Sequence, residues 1–131
     1  MITEDYVSYE VAKLLKEKGF DEIECVGYYC NDKPKDVQIS YCGETNSTWE
    51  NRCCQAPTHQ MAMKWLREEH KIFVEPSVAI DLNGKYHYCF RLLNSICKDI
   101  LEPKDLVKID FKDTYEEAVE AALKYSLENL I

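Results

Sequence analysis

The residues with the greatest potential for chemistry lie between positions 50 and 70, in the stretch ENRCCQAPTHQMAMKWLREEH. Cys53, Cys54, His59 and His70 are the side chains there that could bind zinc, which needs about four ligands arranged in a tetrahedron. The spacing does not favour such a site, because adjacent cysteines point apart in most backbones and the histidines lie about three helical turns apart. We therefore expect reduced, unliganded cysteines, with no metal or other cofactor.

The same stretch contains a candidate for a reactive thiol. Cys54 comes just before a predicted helix N-terminus, close to Arg52 and His59, and a helix dipole, a cation or a neighbouring base activates a cysteine nucleophile. The sequence does not reveal oxyanion donors or an orienting acid, and it contains no Ser-His-Asp signature, glycine-rich phosphate loop or H-E-x-x-H motif. Cys54 and His59 are therefore weak candidates for catalysis, and the sequence favours a protein that is not an enzyme.

Trp49 and Arg52 are the candidate binding residues. They lie in residues 43–57, a polar stretch without hydrophobic period, and loops of this length are often functional. Tryptophan and arginine are frequent anchors of protein interfaces. Trp49 could be such an exposed anchor, or it could fold back over the edge of the core, and the second interpretation is favoured. His87 lies on a predicted strand and is expected to be a surface histidine.

The composition limits the classes of protein to which this chain can belong. Its 131 residues suit a single domain, 1–131, and the net charge of -8 argues against direct nucleic-acid binding. No apolar run approaches the roughly 18 residues of a membrane helix. The acidic start, MITEDYVSYE, does not resemble a signal peptide, and seven cysteines, an odd number, do not suggest a complete disulfide framework. We therefore expect a cytoplasmic protein that does not bind membranes.

Hydrophobic periodicity predicts an α+β fold in the order helix, β-hairpin, helix, β-hairpin, helix, with a mainly antiparallel sheet. Thr3 is the predicted start of the first helix, and Gly19 its left-handed end. Asn83-Gly84 is the predicted two-residue turn of the second hairpin. Thr114 is the predicted cap of the last helix. Residues 94–111 are ambiguous, and ILEPKDLVKIDF within them could form a turn and a short strand.

The stretch APTHQMAMKWLREEH also resembles a helix of a family of small uncharacterised proteins from gut bacteria and their phages. Those proteins carry an A-P-T-x-Q-M-A-x-K-W-L-R-E pattern. The opening YVSYEVAKLLKEKGFDE and the closing TYEEAVEAALKYSLENLI are similar to the ends of the same proteins. The resemblance implies a phage or mobile-element context, and it implies no activity, metal ligand or catalytic residue.

Three functions remain open at this point. The first is a non-enzymatic interaction or accessory factor, which would use residues 43–57 and exposed aromatic side chains to bind an unknown protein partner or form a homodimer. The second is an acidic inhibitor that mimics nucleic acid. The third is a cysteine- or metal-dependent enzyme. An aromatic patch or a symmetric dimer would favour the first, a continuous acidic face the second, and a pocket joining Cys54, His59 and a carboxylate the third.

Overall fold

The computed structural model describes residues 2–94, 106–108 and 111–131, and at residues 94 and 106–108 it describes the backbone alone. Within these residues the protein has the predicted α+β fold, with helices and antiparallel strands. Two compact units are distinguished, Met1–Ala62 and Met63–Ile131, and the division falls inside the third helix. The expectation of one domain stays a prediction.

The first unit contains a three-stranded antiparallel sheet in the order β2-β1-β3, with α1 against β3. The second contains a three-stranded antiparallel sheet in the order β4-β5-β6, with α4 against β5. In chain order the elements are α1 (Tyr9–Glu17), β1 (Gly27–Cys30), β2 (Gln38–Ile39), α2 (Asn46–Trp49), β3 (Cys53–Gln55), α3 (His59–His70), β4 (Ile72–Ile80), β5 (Tyr86–Asn94), β6 (Leu106–Lys108) and α4 (Tyr115–Asn129). The short strand considered for residues 94–111 is β6, and the turn considered at 100–105 lies outside the described residues.

The first helix begins later than predicted. Ser8, not Thr3, is its cap, and the Ser8 hydroxyl accepts a hydrogen bond from the Val11 N–H at 3.2 Å. Residues 5–7 stay outside the helix because their backbone pairs with residues 57–59, with Val7 N–H donating to the Pro57 carbonyl at 3.0 Å. The predicted end is confirmed, since Gly19 has φ +94° and the following phenylalanine is fully buried.

Residues 43–57 are not the irregular loop that the sequence predicts. They contain α2 and β3, which are too short to produce a hydrophobic period. Two buried amide side chains secure them. The Asn46 side chain donates to the Phe20 carbonyl at 2.6 Å and accepts from the Gln55 N–H at 2.8 Å. The Gln55 side chain bonds both the N–H and the carbonyl of Glu22, at 3.1 and 2.7 Å.

In the second unit, α4 begins where the sequence predicts. The Thr114 hydroxyl accepts a hydrogen bond from the Glu117 N–H at 3.1 Å. One face of the helix is buried, and its apolar residues recur at helical spacing. The buried residues of this face are Ala118, Val119, Ala122, Leu123, Ser126 and Leu127.

The turn between β4 and β5 differs from the predicted two-residue turn at Asn83-Gly84. The last strand pair is Ile80 with Tyr86, so residues 81–85 connect the strands. A two-residue type I′ turn needs positive φ at both central residues, and here Gly84 has φ +79° whereas Asn83 does not. The Asp81 carboxylate stabilises the longer turn by accepting from the N–H groups of Asn83 and Lys85, at 2.8 and 3.0 Å.

Gly27 of β1 lies where two other backbone segments approach closely. A Cβ at this position would overlap the Ala56 carbonyl oxygen and lie 2.9 Å from the Tyr6 ring. We expect Gly27→Ala to lower the free energy of unfolding by about 2–3 kcal/mol, because a backbone oxygen cannot move aside cheaply. Urea denaturation measures this. Gly84→Ala is the control and should cost only about 1 kcal/mol, from its positive φ in open space; equal losses would contradict the prediction.

Candidate functional site

One face of the sheet in the second unit carries the even-numbered residues of β4 and β5, and α4 covers only part of it. Phe90 and Leu92 of this face are buried. The ring of Tyr115, the first residue of α4, packs edge-on against Phe90 and Tyr88, with centroids at 5.3 and 6.3 Å. The α4 helix therefore covers the part of this face that contains Phe90 and Leu92.

The other half of the same face is uncovered within the described part of the chain. Its side chains, Val78, Ile80 and Tyr86, are 55%, 61% and 53% exposed, and Leu82 in the turn is fully exposed. We call Val78, Ile80 and Tyr86 the uncovered face. The sequence correctly predicts that apolar residues alternate along these strands, a pattern typical of a strand with one buried face. In the structure the apolar face extends past the part of the sheet that α4 covers.

Near the turn, the opposite side of the same hairpin carries charged and polar side chains. His87 Nε2 lies 2.9 Å from Asp81 Oδ2, and Lys85 Nζ lies 3.1 Å from Asp113 Oδ1. The hydrogen bond from His87 lowers the pKa of the Asp81 carboxyl, with backbone hydrogen bonds contributing in the same direction. His87 alternates with its two tyrosine neighbours, as expected, but it is half-buried and paired with acids rather than simply solvated. The uncovered face is therefore the apolar side of a two-sided hairpin.

The first unit has an open pocket of about 630 Å³, lined in part by both candidate binding residues, Trp49 and Arg52. Trp49 is 8% exposed, its ring lies 5.0 Å from that of Tyr28, and its indole N–H donates to Glu44 Oε2 at 2.6 Å. Trp49 thus folds back, as the favoured interpretation has it, and forms a pocket wall. Arg52 is exposed at the same pocket, so residues 43–57 contribute a concavity rather than a protruding aromatic anchor.

The adjacent cysteines Cys53 and Cys54 point to opposite sides of β3. Cys53 lines the pocket of about 630 Å³, and its Sγ lies 3.6 Å from the Sγ of Cys30. Cys54 is 2% exposed, and burial raises the pKa of its thiol to about 11, although Lys16 opposes this shift. A nucleophilic cysteine needs the opposite shift. The sequence did not indicate Cys30, because its proximity to Cys53 depends on the pairing of β1 with the unpredicted β3.

The histidines of the opening stretch lie at the two ends of α3. His59 is buried, and its backbone N–H donates to the Asp5 carbonyl at 2.9 Å. His70 is half-buried, and its ring lies 4.6 Å from that of Trp65. Within residues 2–94, 106–108 and 111–131, no three or more His, Cys, Asp or Glu side chains are grouped as metal ligands would be. Of the residues singled out from the sequence, the structure brings Trp49, Arg52 and Cys53 together.

Comparison of the chain with models of protein families, with curated proteins and with solved structures gives no match. None of the helices in the described ranges combines the length and the apolar character that a membrane span requires.

Proposed function

We propose that this protein is a non-enzymatic interaction factor that binds an amphipathic helix of a partner protein on the uncovered face. The single observation that carries the proposal is the continuation of one apolar sheet face, Val78, Ile80 and Tyr86, beyond the end of α4. The sequence resemblance supports a phage or mobile-element context for the partner. The odd number of cysteines supports a reducing, cytoplasmic compartment.

At the turn end of the β4–β5 hairpin, no helix of the described residues packs on the apolar side of the sheet. A two-stranded ribbon is only marginally stable in water, and apolar side chains on one of its faces gain stability when another element covers them. In this unit the covering element over Phe90 and Leu92 is a helix. A second helix of similar width, laid over Ile80, would extend the same layer, which is a common mode of peptide recognition.

The charges beside the uncovered face indicate what should flank the apolar stripe of the partner. Tyr115 packs against Tyr88 and Phe90 of the same sheet side, and the two exposed acids that follow it, Glu116 and Glu117, lie in the first turn of α4. The whole chain has a net charge of -8. A partner helix with Lys or Arg at its ends would therefore be favoured electrostatically, mainly through its association rate.

We expect the double variant Val78→Thr and Ile80→Thr to weaken partner binding by at least about tenfold. Threonine keeps the β-branched shape, so the hairpin persists, whereas each apolar side chain buried at an interface contributes about 1.5–3 kcal/mol. A photo-crosslinking amino acid at position 86 reports the contact in cells that naturally express the protein. We expect one discrete crosslinked adduct, and we expect the captured partner peptide to carry basic residues on both sides of the crosslinked position. The double variant should abolish this adduct.

The matched control carries the same crosslinker at Lys64, an exposed polar position of α3 in the same unit. Equal adducts at positions 64 and 86, or adducts unaffected by the double variant, would refute the proposal. An adduct of twice the chain's mass would identify a second copy as the occupant and would replace the partner-helix proposal by a homodimer. Circular dichroism of the double variant verifies that it is folded.

A further inference from the structure

Cys30 and Cys53 occupy directly opposite positions on β1 and β3. The ladder hydrogen bonds fall on the flanking pairs, with Asn31 N–H donating to the Arg52 carbonyl at 3.1 Å. The two cysteines therefore form a non-hydrogen-bonded pair, for which the Cα atoms lie about 4.5 Å apart. That separation is within the range of about 4.4–6.8 Å that a disulfide spans. The two sulfur atoms lie 3.6 Å apart and on the same face of the sheet.

The environment of this pair differs from that of the other cysteines in the first unit. Cys30 and Cys53 are half-buried and line the pocket, so a small reagent can reach them, whereas Cys25 and Cys54 are buried. The Cys53 thiol donates to Cys30 Sγ, so the two sulfur atoms already face each other across the strand pair. Lys16 Nζ, which bonds the Cys53 carbonyl at 2.7 Å, places a positive charge nearby.

We propose that Cys30 and Cys53 are a thiol-modification site that forms a reversible disulfide by exchange with a low-molecular-weight disulfide such as oxidised glutathione. The Cys30 thiolate attacks one sulfur of the reagent, forms a mixed disulfide and releases one reagent thiol. The Cys53 thiolate then attacks Cys30 Sγ, forms the protein disulfide and releases the second reagent thiol. Two electrons pass from the protein to the reagent, and the two cysteine protons end on the released thiols.

The disulfide would close a loop that contains β2, α2, Trp49 and Arg52. It would join the two strands that form the pocket wall, and so hold the pocket in one shape. Burial and the hydrogen bond to Cys30 raise the pKa of Cys53 to about 11. A raised pKa lowers the fraction of Cys53 that is thiolate at neutral pH, so the rate of the second exchange step increases with pH.

The test uses the full chain in glutathione buffers that range from fully reduced to mostly oxidised, followed by acid quenching, alkylation and peptide mapping. We expect a peptide pair linked through Cys30 and Cys53, a mass loss of about 2 Da that dithiothreitol reverses, and a Tm higher by roughly 5–10 °C. Alkylation of both cysteines across the whole series would overturn the proposal. A bond from Cys53 to any other cysteine would also overturn it.

Three serine variants sharpen the test. Cys30→Ser and Cys53→Ser should each abolish the oxidant-dependent rise in Tm, whereas Cys42→Ser, at an exposed cysteine, should leave it unchanged. A rise of the same size in Cys30→Ser would overturn the assignment. Peptide mapping of the unsubstituted chain decides the question even where a serine variant does not fold.

Discussion

Replacing Asn46 by leucine is expected to lower the free energy of unfolding by about 3–4 kcal/mol. Leucine matches asparagine closely in size, so the loss comes from hydrogen bonds rather than from a cavity. It leaves the Phe20 carbonyl and the Gln55 N–H without the amide partner that each has in a buried environment. Loss of a hydrogen bond to a buried backbone group costs about 1–3 kcal/mol. Urea denaturation followed by circular dichroism measures the change.

Ser47→Ala is the matched control, because Ser47 is the next residue of α2 and is exposed. We expect it to change stability by less than about 0.5 kcal/mol. Gln55→Met gives an independent check, since it removes both side-chain bonds to Glu22 while keeping the bond from Asn46 to the backbone of residue 55. A loss below about 1 kcal/mol in Asn46→Leu would show that the buried amides do not secure residues 43–57.

The reduced protein is expected to lose stability steeply as pH rises from 9 to 11. Burial raises the pKa of both Cys25 and Cys54 to about 11 in the folded state, from an ordinary value of 9.0. Both thiols ionise at a lower pH in the unfolded chain than in the folded protein, so proton release favours unfolding between pH 9 and 11. The contribution of the two protonated thiols to stability is therefore fully present below pH 9 and is lost by pH 11. Two pKa units correspond to about 2–3 kcal/mol for each thiol.

Urea denaturation at pH 7, 9 and 10.5, with a reductant present, tests this expectation. Tyrosines and lysines also titrate in this range, so the informative quantity is a difference between variants. Cys25→Ala with Cys54→Ala should reduce the alkaline slope, whereas Cys42→Ala should not change it. An unchanged slope in the double variant would disprove the role of the buried thiols.

Elements with local signals were predictable. The cap at Thr114, the glycine end at Gly19 and the stripe of α3 around Ala62 and Leu66 all depend on residues within a few positions of one another. The start of α1 was not predictable in this way. Residues 5–7 have acceptable helix-start chemistry, but they pair instead with residues 57–59, which lie far away in sequence.

The candidate sites were predictable only in part. Trp49 and Arg52 were singled out by residue type, and both line the pocket. Cys54 was singled out because it lies shortly before the predicted start of α3. That helix does begin at His59, but β3 places the Cys54 thiol in the interior. Cys30 was missed because nothing in its local sequence connects it to Cys53.

By itself, the sequence determined the α+β class, the two hairpins, the approximate positions of the main helices and the alternation of apolar residues along β4 and β5. These properties follow from hydrophobic periodicity and from capping chemistry, which act over a few residues. The tertiary structure alone decided which apolar residues are covered, because burial depends on where α4 begins relative to Ile80 and Tyr86. It also decided which thiols meet, because strand pairing joins positions that the chain separates by many residues.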